Sequence, residues 1–522
     1  MTLTTFALPD VVVDQIIVRS ALPFLIALSI FIYLWRRKPV MPLPPGPRGS
    51  LFTGNRSNIL DTKEVWKQYA EWSKIYGPVI SFKSANVQVI VLNSSKSVFD
   101  LLDKRSSIYS DRPKSFMFGE LVGLNKGFLR VDLRDPRFSA YRRMAHDEMG
   151  PRQIPRYVSA MEDSVRILLR SLLSDPTNFV MHLRNSQGRA MMKTTYGYTV
   201  ESDEDYYIGI AERWMDTLKY HMRPGQWLVD SYPILKYLPH WMPGGGFKVF
   251  AAEKRAQIQE ALSAPMRWAK SEMSAGRAYP SFVSRQLSRS EELTEYDEEI
   301  VKQLAASMYI GGIDTVPAVF STFFLMMIHS PDAQKRAQEE IDHVVGPDRL
   351  PRFSDKPKLP YVEALIKEIL RYHPPSPIGS AHCVHQDDVY EGMFIPKGSL
   401  VYANIWAITH DESIYPDPFK FDPARHLIEN TEKGKAQPDP RTFVFGFGRR
   451  LCPGMHVAEA SIFLTISSIL ATFNIVNSKA ATGEEITPAL QFTGGSISRP
   501  EEFGCTIVPR SDVATDLIMW SH

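Results

Sequence analysis

The feature that most constrains this chain is a ten-residue stretch near its C-terminus, Phe445-Gly-Phe-Gly-Arg-Arg-Leu-Cys-Pro-Gly454, which runs directly into an apolar helical pattern. A cysteine just before a helix gains the positive end of the helix dipole and free backbone N–H groups, and both stabilise a thiolate. Gly448 permits a left-handed turn, and Gly454 leaves space where a flat ligand must approach the backbone. The stretch therefore predicts a loop that presents Cys452 as a thiolate ligand.

Two other side chains of this stretch fit a haem group. Arg450 can donate a charge-assisted hydrogen bond to a haem propionate, and Phe445 can cover the sulfur and keep water away from it. The spacing Phe445-x-x-Gly-x-Arg450-x-Cys452-x-Gly454 resembles the haem-binding signature of the cytochrome P-450 monooxygenases, with every defining position filled. The alternative is a buried structural cysteine after a glycine-rich turn.

Length and composition favour one large domain. No linker rich in proline, glycine or serine, and no run of charges, divides the 522 residues after position 50. The formal net charge of +2 gives no chain-wide basic surface, so we expect no nucleic-acid partner. The three cysteines, Cys383, Cys452 and Cys505, are too few and odd in number for a secreted disulfide framework, which indicates a reducing, cytosolic setting.

An apolar segment near the N-terminus predicts a membrane anchor. Residues 21–35 carry no charge, and three basic residues follow at positions 36–38. The run is shorter than the ~20 residues that span a bilayer comfortably, but Arg19 can snorkel to the interface. A cleaved signal peptide, the alternative, would carry its charges before the apolar core. We predict an uncleaved single-pass anchor at residues 1–41 and a cytosolic haem-thiolate monooxygenase domain at residues 42–522.

The sequence Pro42-Leu-Pro-Pro-Gly-Pro47 follows the predicted anchor. Its prolines favour a stiff, extended hinge that holds the body at a set distance from the membrane. This hinge resembles the proline-rich segment of microsomal members of the family. The resemblance implies that the protein lies in the endoplasmic reticulum membrane.

A long helical pattern from Asp297 to His329 contains the sequence Gly311-Gly-Ile-Asp-Thr315. Glycines and Pro317 weaken a helix, because proline removes an intrahelical bond and glycine costs ~1 kcal/mol relative to alanine. Such a cost is tolerated where a functional opening is needed, and the alternative is close helix packing. The Asp314 carboxyl and the Thr315 hydroxyl could relay protons there. The pattern resembles the oxygen-activation motif of the family, in which alanine is commoner than Gly311.

Glu368 and Arg371 lie at i and i+3 on another predicted helix, where an isolated pair is usually a solvated salt bridge. Arg425 lies in a segment resembling the one whose arginine completes a buried Glu-Arg-Arg network in the family. Ala424 and His426 differ from the usual Glu and Phe of that segment. The resemblance implies that the three charged residues support the haem loop.

Two more residues match family positions that contact a haem propionate. Arg142 matches an arginine that follows a tryptophan by four residues, but Phe138 stands where the tryptophan would be. A phenyl ring can pack but cannot donate a hydrogen bond, so Phe138 cannot make the propionate contact that the tryptophan makes in the family. His382 matches a propionate donor, whereas a lone histidine is more often a satisfied core or surface residue.

Two segments are candidates for the substrate pocket and its entrance. The irregular stretch from Tyr109 to Arg137 predicts either a pocket wall or ordinary loop packing. Residues 214–250 are too rich in aromatic residues and proline for a regular helix, and they suit either the lipid interface or a buried loop. The candidates for lipid contact are Trp227, Tyr232, Ile234, Leu235, Tyr237, Leu238, Trp241 and Met242. Either alternative favours an apolar substrate that arrives from the membrane.

For the whole chain from Pro42 onward, the resemblance implies a mainly α fold with a smaller β-rich region. It places haem b between the Thr315 helix and the Cys452 loop, where one oxygen atom of dioxygen is inserted into an apolar molecule. Electrons are expected from NADPH through a membrane-bound cytochrome reductase, with cytochrome b5 as a further partner, since no G-x-G-x-x-G fingerprint is present. The basic residues expected to dock the reductase are Arg142, Arg143, Lys435 and Arg449.

Two other functions stay open. A haem-thiolate isomerase or peroxide-using enzyme would not need Asp314 and Thr315, so these residues favour oxygen chemistry. A membrane-anchored haem protein without turnover is compatible with the same motifs. Similarity to fungal members of secondary metabolism, including Pro438-Asp-Pro440 ahead of the haem loop, suggests a terpenoid or related intermediate as substrate.

Overall fold

The computed structural model describes residues 27–29, 31, 41–50, 55, 62–84, 87–202, 204–221, 226–289, 292, 294–428, 436–480 and 482–520. Apart from positions 27–29, 31 and 41, the anchor predicted at residues 1–41 lies outside these ranges. Lys435, expected to help dock the reductase, lies outside them as well.

The β-strands form the smaller part of the molecule. They are β1 (Val79–Ser84), β2 (Val87–Leu92), β3 (His382–Cys383), β4 (Asp388–Tyr390), β5 (Met393–Ile395), β6 (Leu400–Ala403), β7 (Phe473–Val476), β8 (Ser478–Lys479), β9 (Glu485–Ile486) and β10 (Thr506–Pro509). A four-stranded sheet has the order β1-β2-β6-β3, with β1 antiparallel and β6 parallel to β2. The alternation of apolar residues in the sequence predicts two strands between Val79 and Leu92, and the pairing of β1 with β2 confirms them.

Strand β2 shows why this sheet is buried on both faces. Its sequence VQVIVL is rich in β-branched residues, which favour strands. Ile90 and Leu92 belong to one buried apolar cluster, and Val89 and Val91 belong to another. Successive side chains of a strand point to opposite faces, so β2 joins the two clusters.

Helices make up most of the described chain. They are α1 (Val65–Tyr76), α2 (Ser95–Val98), α3 (Ser106–Tyr109), α4 (Pro136–Met149), α5 (Pro155–Ser174), α6 (Phe179–Tyr196), α7 (Tyr206–His221), α8 (Leu228–Ser231), α9 (Phe247–Ser274), α10 (Phe282–Leu287), α11 (Glu295–His329), α12 (Pro331–Val344), α13 (Pro360–Tyr372), α14 (Ile405–Thr409), α15 (Arg441–Val444), α16 (Met455–Thr472) and α17 (Asp512–Trp520). The predicted fold, mainly α with a smaller β-rich region, is confirmed.

Helix α11 confirms the long helix predicted from Asp297 to His329. Its first turn has a reciprocal cap, in which Thr294 Oγ1 accepts from the Asp297 N–H (3.2 Å) and the Asp297 carboxylate accepts from the Thr294 N–H (3.3 Å). With 35 residues it is ~50 Å long, and it continues past Gly311 and Pro317.

Two helices, α11 and α16, are long and apolar enough to cross a membrane by length and composition, among the residues that the structure covers. In both, most of the apolar window is buried inside the protein, 78% in α11 and 72% in α16. We therefore assign both to the core. Their buried side chains pack in the same apolar cluster.

The proline-rich stretch lies against the body of the protein. The Ser81 hydroxyl donates to the Pro44 carbonyl (2.6 Å) and the Ser81 N–H to the Pro45 carbonyl (2.9 Å). A side chain at Gly46 would place its Cβ 1.8 Å from the Ser81 carbonyl oxygen, so this close approach requires glycine. Pro44 and Pro45 of this stretch are thus held against strand β1.

Both irregular segments contain more helix than the sequence predicts. Residues 109–137 include helical turns at Phe116–Leu121 and Leu124–Lys126. Within them Met117 and Phe118 are buried in the main core, which favours ordinary packing for these two side chains. The prediction that residues 214–250 lack regular helix is wrong at both ends, because α7 continues to His221 and α9 begins at Phe247.

Candidate active site

The loop that carries Cys452 lies between α15 and α16. Its backbone closes on itself, because the Cys452 N–H donates to the Phe445 carbonyl (2.8 Å). Gly448 adopts the left-handed conformation expected from the sequence (φ +54°). A Cβ at this position would lie 2.2 Å from the Leu102 carbonyl oxygen, so the loop is seated directly on the segment between α2 and α3.

The environment of the Cys452 thiol sets the chemistry of this loop. Burial raises the pKa of the thiol, while the Gly454 N–H and the charge of Arg142 oppose that shift. The backbone donor and the nearby cation are the groups that the sequence leads us to expect around a thiolate. Because burial dominates, a thiolate here needs a further positive charge, such as a metal ion bound to the sulfur.

Arg450 lies beside the loop and reaches into the chain before α4. Its guanidinium donates to the carbonyls of Ser110 (2.8 Å), Val131 (2.6 Å) and Phe128 (3.4 Å). Burial lowers the pKa of Arg450 to about 10, although the charge of Asp111 opposes the shift. A buried cation with such a lowered pKa would be stabilised by an anionic ligand.

Arg112 is a second half-buried cation at this place, and no sequence motif marks it. It donates to the carbonyls of Ser380 (3.0 Å) and Ala381 (2.7 Å), next to His382. Burial lowers the pKa of Arg112 to about 9, and the charge of Arg450 lowers it further. The signal that could have found it is weak, since a single arginine before Pro113 has no distinctive spacing.

The residues around the thiol fit a haem group. Arg112, Arg142 and Arg450 donate to backbone carbonyls, and no carboxylate among the described residues bonds to them. Half-buried cations that have no carboxylate partner suit the propionates of haem. Space for a flat group exists as well, because a Cβ at Gly454 would meet its first neighbour at 3.9 Å and one at Gly311 would meet nothing within 4 Å.

Phe138 packs against Arg450, a role that the sequence does not predict. Its ring is buried, and the guanidinium carbon of Arg450 lies 4.4 Å from the ring centroid. This geometry is a cation–π contact. Although Phe138 has no hydrogen bond to offer, it supports the arginine that is a candidate propionate donor.

Arg142 and His382 are more constrained than the sequence suggests. Arg142 donates to the Leu451 carbonyl (2.7 Å), next to the cysteine. On β3, His382 Nδ1 donates to the Tyr109 carbonyl (2.6 Å), and burial together with the charge of Arg112 lowers its pKa to about 3. The ring is therefore neutral, and its Nε2 accepts hydrogen bonds unless an anion draws a proton onto it.

Asp314 and Thr315 are neighbours on α11 but have different partners. The Thr315 hydroxyl donates to the Gly311 carbonyl one turn earlier (2.7 Å). Asp314 forms an ion pair with Arg499 (3.4 Å), a residue of the C-terminal loop. Adjacent residues of a helix do not face each other, so the structure does not bring the carboxyl and the hydroxyl together directly.

Glu368, Arg371 and Arg425 form a buried network, with His426 as a fourth member. Glu368 accepts two hydrogen bonds from Arg371 (2.7 and 2.8 Å), one from Arg425 (3.1 Å) and one from His426 (3.0 Å). Burial raises the pKa of Glu368, but the bonds from His426 and Arg371 outweigh it and bring the pKa to about 2. The carboxylate is thus charged at neutral pH.

The network reaches the segment that leads into the cysteine loop. Arg425 donates to Gln437 Oε1 (2.9 Å) and accepts from the Gln437 N–H (3.0 Å). The Tyr415 hydroxyl donates to the Pro438 carbonyl (2.9 Å), and the Arg371 guanidinium lies 5.6 Å from the Tyr415 ring. The network therefore fixes residues 437–438, just before α15.

Comparison with known proteins agrees with this arrangement. The sequence model of the family described as cytochrome P450 matches residues 44–499. The chain is 39% identical to cytochrome P450 monooxygenase 208 of Postia placenta, over 96% of this chain and 97% of that protein. It is 40% identical to cytochrome P450 monooxygenase claR of Ampulloclitocybe clavipes, over 93% of this chain and 89% of that protein.

Fold and site together define a protein that binds haem through a cysteine thiolate. The chain belongs to the cytochrome P450 family. Like the relatives that it matches, it is a monooxygenase and therefore an oxidoreductase. Members of this family generally take their electrons from a redox partner.

Proposed function

We propose that the protein is a membrane-bound monooxygenase that inserts one oxygen atom of dioxygen into an apolar small molecule, with electrons from NADPH supplied by a cytochrome reductase. The observation that carries the proposal is the half-buried Cys452 thiol together with three half-buried arginines near its loop, Arg112, Arg142 and Arg450, which have no carboxylate partner among the described residues. A haem bound there would supply the iron that activates dioxygen.

The residues of the chain would hold this group from several sides. Cys452 would bind the iron through its sulfur, and Phe445 would shield the sulfur from water. Arg450 and Arg112 would donate to the propionates, with Arg142 close to the cysteine. We propose that His382 gains a proton when a propionate is present, because an adjacent anion raises the pKa of a histidine.

On α11 we propose that Thr315 and Asp314 handle protons. The Thr315 hydroxyl lies next to Gly311, where a Cβ would meet open space, and can present its oxygen to the reacting group. We assign Asp314 the role of passing protons, because a partly exposed carboxylate next to a hydroxyl-bearing residue can serve as a general acid or base. Since the two side chains are apart, a water molecule would have to connect them.

The membrane contact is supported by exposed apolar side chains between α8 and α9. Ile234, Tyr237 and Trp241 are 74%, 73% and 73% exposed. By contrast, the Trp227 ring packs against Phe250 (5.1 Å), so it belongs to the interior alternative. Apolar and aromatic residues exposed in this way favour a lipid interface, which would deliver an apolar substrate. We propose the endoplasmic reticulum membrane because of the similarity to microsomal members of the family.

Two arginines support a reductase site on the Cys452 side. Arg143 of α4 and Arg449 of the cysteine loop are exposed. Arg142, also expected to contribute, is instead bonded to the Leu451 carbonyl and is less available to a partner. Exposed cations of this kind would attract an acidic reductase, and cytochrome b5 could use the same surface.

For the substrate we propose a chemical class and not a particular molecule. Similarity to fungal proteins supports a terpenoid or another secondary-metabolite intermediate, since these are apolar and suit an entrance from the membrane. An isomerase or a peroxide-using enzyme is the second candidate. The pairing of Asp314 with Thr315 in sequence favours the monooxygenase, because an isomerase would not need a proton relay.

The test is reconstitution in lipid with a cytochrome reductase, NADPH and dioxygen. Terpenoid, aromatic and fatty-acid ligands would first be screened by the shift that they cause in the haem spectrum. We expect NADPH consumption and an oxygenated product only with the reductase present. Product formed without NADPH would favour the isomerase, and product formed only with peroxide would favour the peroxygenase.

A further inference from the structure

The C-terminal loop from Gln491 to Pro500 is closed by its own backbone. The Thr493 N–H donates to the Arg499 carbonyl (2.8 Å), and the Arg499 N–H donates to the Thr493 hydroxyl (3.2 Å). Phe492 forms an antiparallel bridge with Pro500. The backbone of Arg499 therefore has a fixed position.

The same loop is attached to the chain that follows α13. Ser498 Oγ lies 2.8 Å from His373 Nε2, and the Ser498 N–H donates to the Pro375 carbonyl (2.9 Å). The Phe492 ring stacks on His373 with 3.6 Å between centroids. These contacts hold the base of the loop without help from the Arg499 side chain.

The Arg499 side chain extends from this fixed base to helix α11. Its Nη1 lies 3.4 Å from Asp314 Oδ1, and both side chains are partly buried, 29% and 14% exposed. Within the described part of the chain, no other hydrogen bond or ion pair is made by either side chain. The orientation of the Asp314 carboxylate thus depends on one contact.

We propose that Arg499 is a positioning residue for proton delivery. By its single contact with Asp314, it fixes the rotamer of that carboxylate apart from the Thr315 side chain, so that a water molecule can join the two side chains. Without Arg499 the carboxylate has no described partner to orient it, and proton delivery to Thr315 becomes less efficient. The proposal rests on the monooxygenase function given above.

The first test measures how many electrons from NADPH reach product in the reconstituted enzyme. In Arg499→Met we expect product per NADPH to fall by about threefold or more, with the missing electrons recovered as hydrogen peroxide. Arg499→Lys keeps a cation and should recover a large part of the loss. The fall should be accompanied by a larger solvent deuterium effect on product formation, which a change limited to folding would not cause.

A matched control is available in the same C-terminal region. Arg510 pairs with Asp342 of α12 (2.6 Å), another contact between an arginine and a helix carboxylate. Arg510→Met should leave product per NADPH at the wild-type value. Equal values for wild type and Arg499→Met, or equal losses in Arg499→Met and Arg510→Met, would overturn the proposal.

A second measurement does not depend on activity. Thermal unfolding of the haem-loaded wild type, Arg499→Met, Asp314→Asn and the double variant shows whether the two side chains are coupled. We expect the loss in the double variant to be smaller than the sum of the single losses. Strict additivity would overturn the proposal even in an active enzyme. If the wild type forms no product with any electron source, the proposed function fails, and the unfolding cycle alone decides whether Arg499 positions Asp314.

Discussion

The two sides of the candidate site are held in place very differently. On the cysteine side, the buried carboxylate of Glu368 accepts hydrogen bonds from Arg371, Arg425 and His426. On the α11 side, the partly exposed carboxylate of Asp314 has one contact of 3.4 Å. The difference teaches that the segment leading into the cysteine loop is held by several buried contacts, whereas the carboxylate proposed to move protons depends on one.

The largest effect on stability is expected from a substitution in the buried network on the cysteine side. Glu368→Gln removes the charge that two buried arginines share, which should cost about 3–5 kcal/mol of unfolding free energy. Chemical denaturation measures this loss. Glu298→Gln is the control, since its pair with Lys270 is exposed and should contribute no more than about 0.5 kcal/mol. Similar losses of unfolding free energy in both variants would show that the buried network contributes no more than an exposed ion pair.

Acid should weaken the same buried network by protonating Glu368. The pKa of Glu368 is about 2 in the folded protein against an ordinary value of 4.5. Because the pKa is lower in the folded state than in the unfolded state, the ionised Glu368 stabilises the folded protein. This contribution to the free energy of unfolding is complete above pH 4.5 and is lost as the pH falls through about 2. The loss amounts to about 3 kcal/mol. It should be absent from Glu368→Gln, and parallel acid profiles of the two proteins would contradict the assignment.

A smaller effect is expected at Phe138, whose ring supports the proposed propionate donor Arg450. Phe138→Leu removes the ring 4.4 Å from the Arg450 guanidinium, and we expect haem affinity to fall by about fivefold. Haem transfer to an apo-globin acceptor measures the change. Phe324→Leu is the control, because this ring is equally buried but stacks on Phe179 instead. Equal haem loss in both variants would show that the effect is one of general stability.

The smallest effect is expected at Gly311. A Cβ there meets nothing within 4 Å, so Gly311→Ala should be tolerated and should stabilise the helix by up to about 1 kcal/mol. At the neighbouring Gly312 a Cβ would lie 3.0 Å from Met191, and Gly312→Ala should destabilise the protein by about 1–3 kcal/mol. Unfolding midpoints of the two variants that shift in the same direction would contradict this difference.

The parts of the molecule that the sequence predicts well are those with a local signal. The period of α11, the alternation in β1 and β2, and the spacing around Cys452 all lie within short windows. The sequence predicts the three charged members of the buried network because each of them matches a family motif. The addition of His426 was not expected, since a histidine in place of a phenylalanine gives no sign of whether it will bond.

The contacts that the sequence could not predict join distant parts of the chain. Arg450 bonds to a carbonyl 340 residues away, and Arg499 reaches a carboxylate 185 residues away. No local pattern marks such partners, because they depend on how whole elements pack. Phe138 shows a different limit, since comparison with the usual tryptophan indicated a lost hydrogen bond but not the ring contact that replaces it.

The central claim is that Cys452 is the thiolate ligand of a haem iron. The most direct test is the carbon monoxide spectrum of the reduced protein, recorded for the wild type and for Cys452→Ser at equal haem content. We expect the thiolate-type spectrum in the wild type and its complete loss in the variant. A Cys452→Ser protein that retained the thiolate-type spectrum would contradict the account.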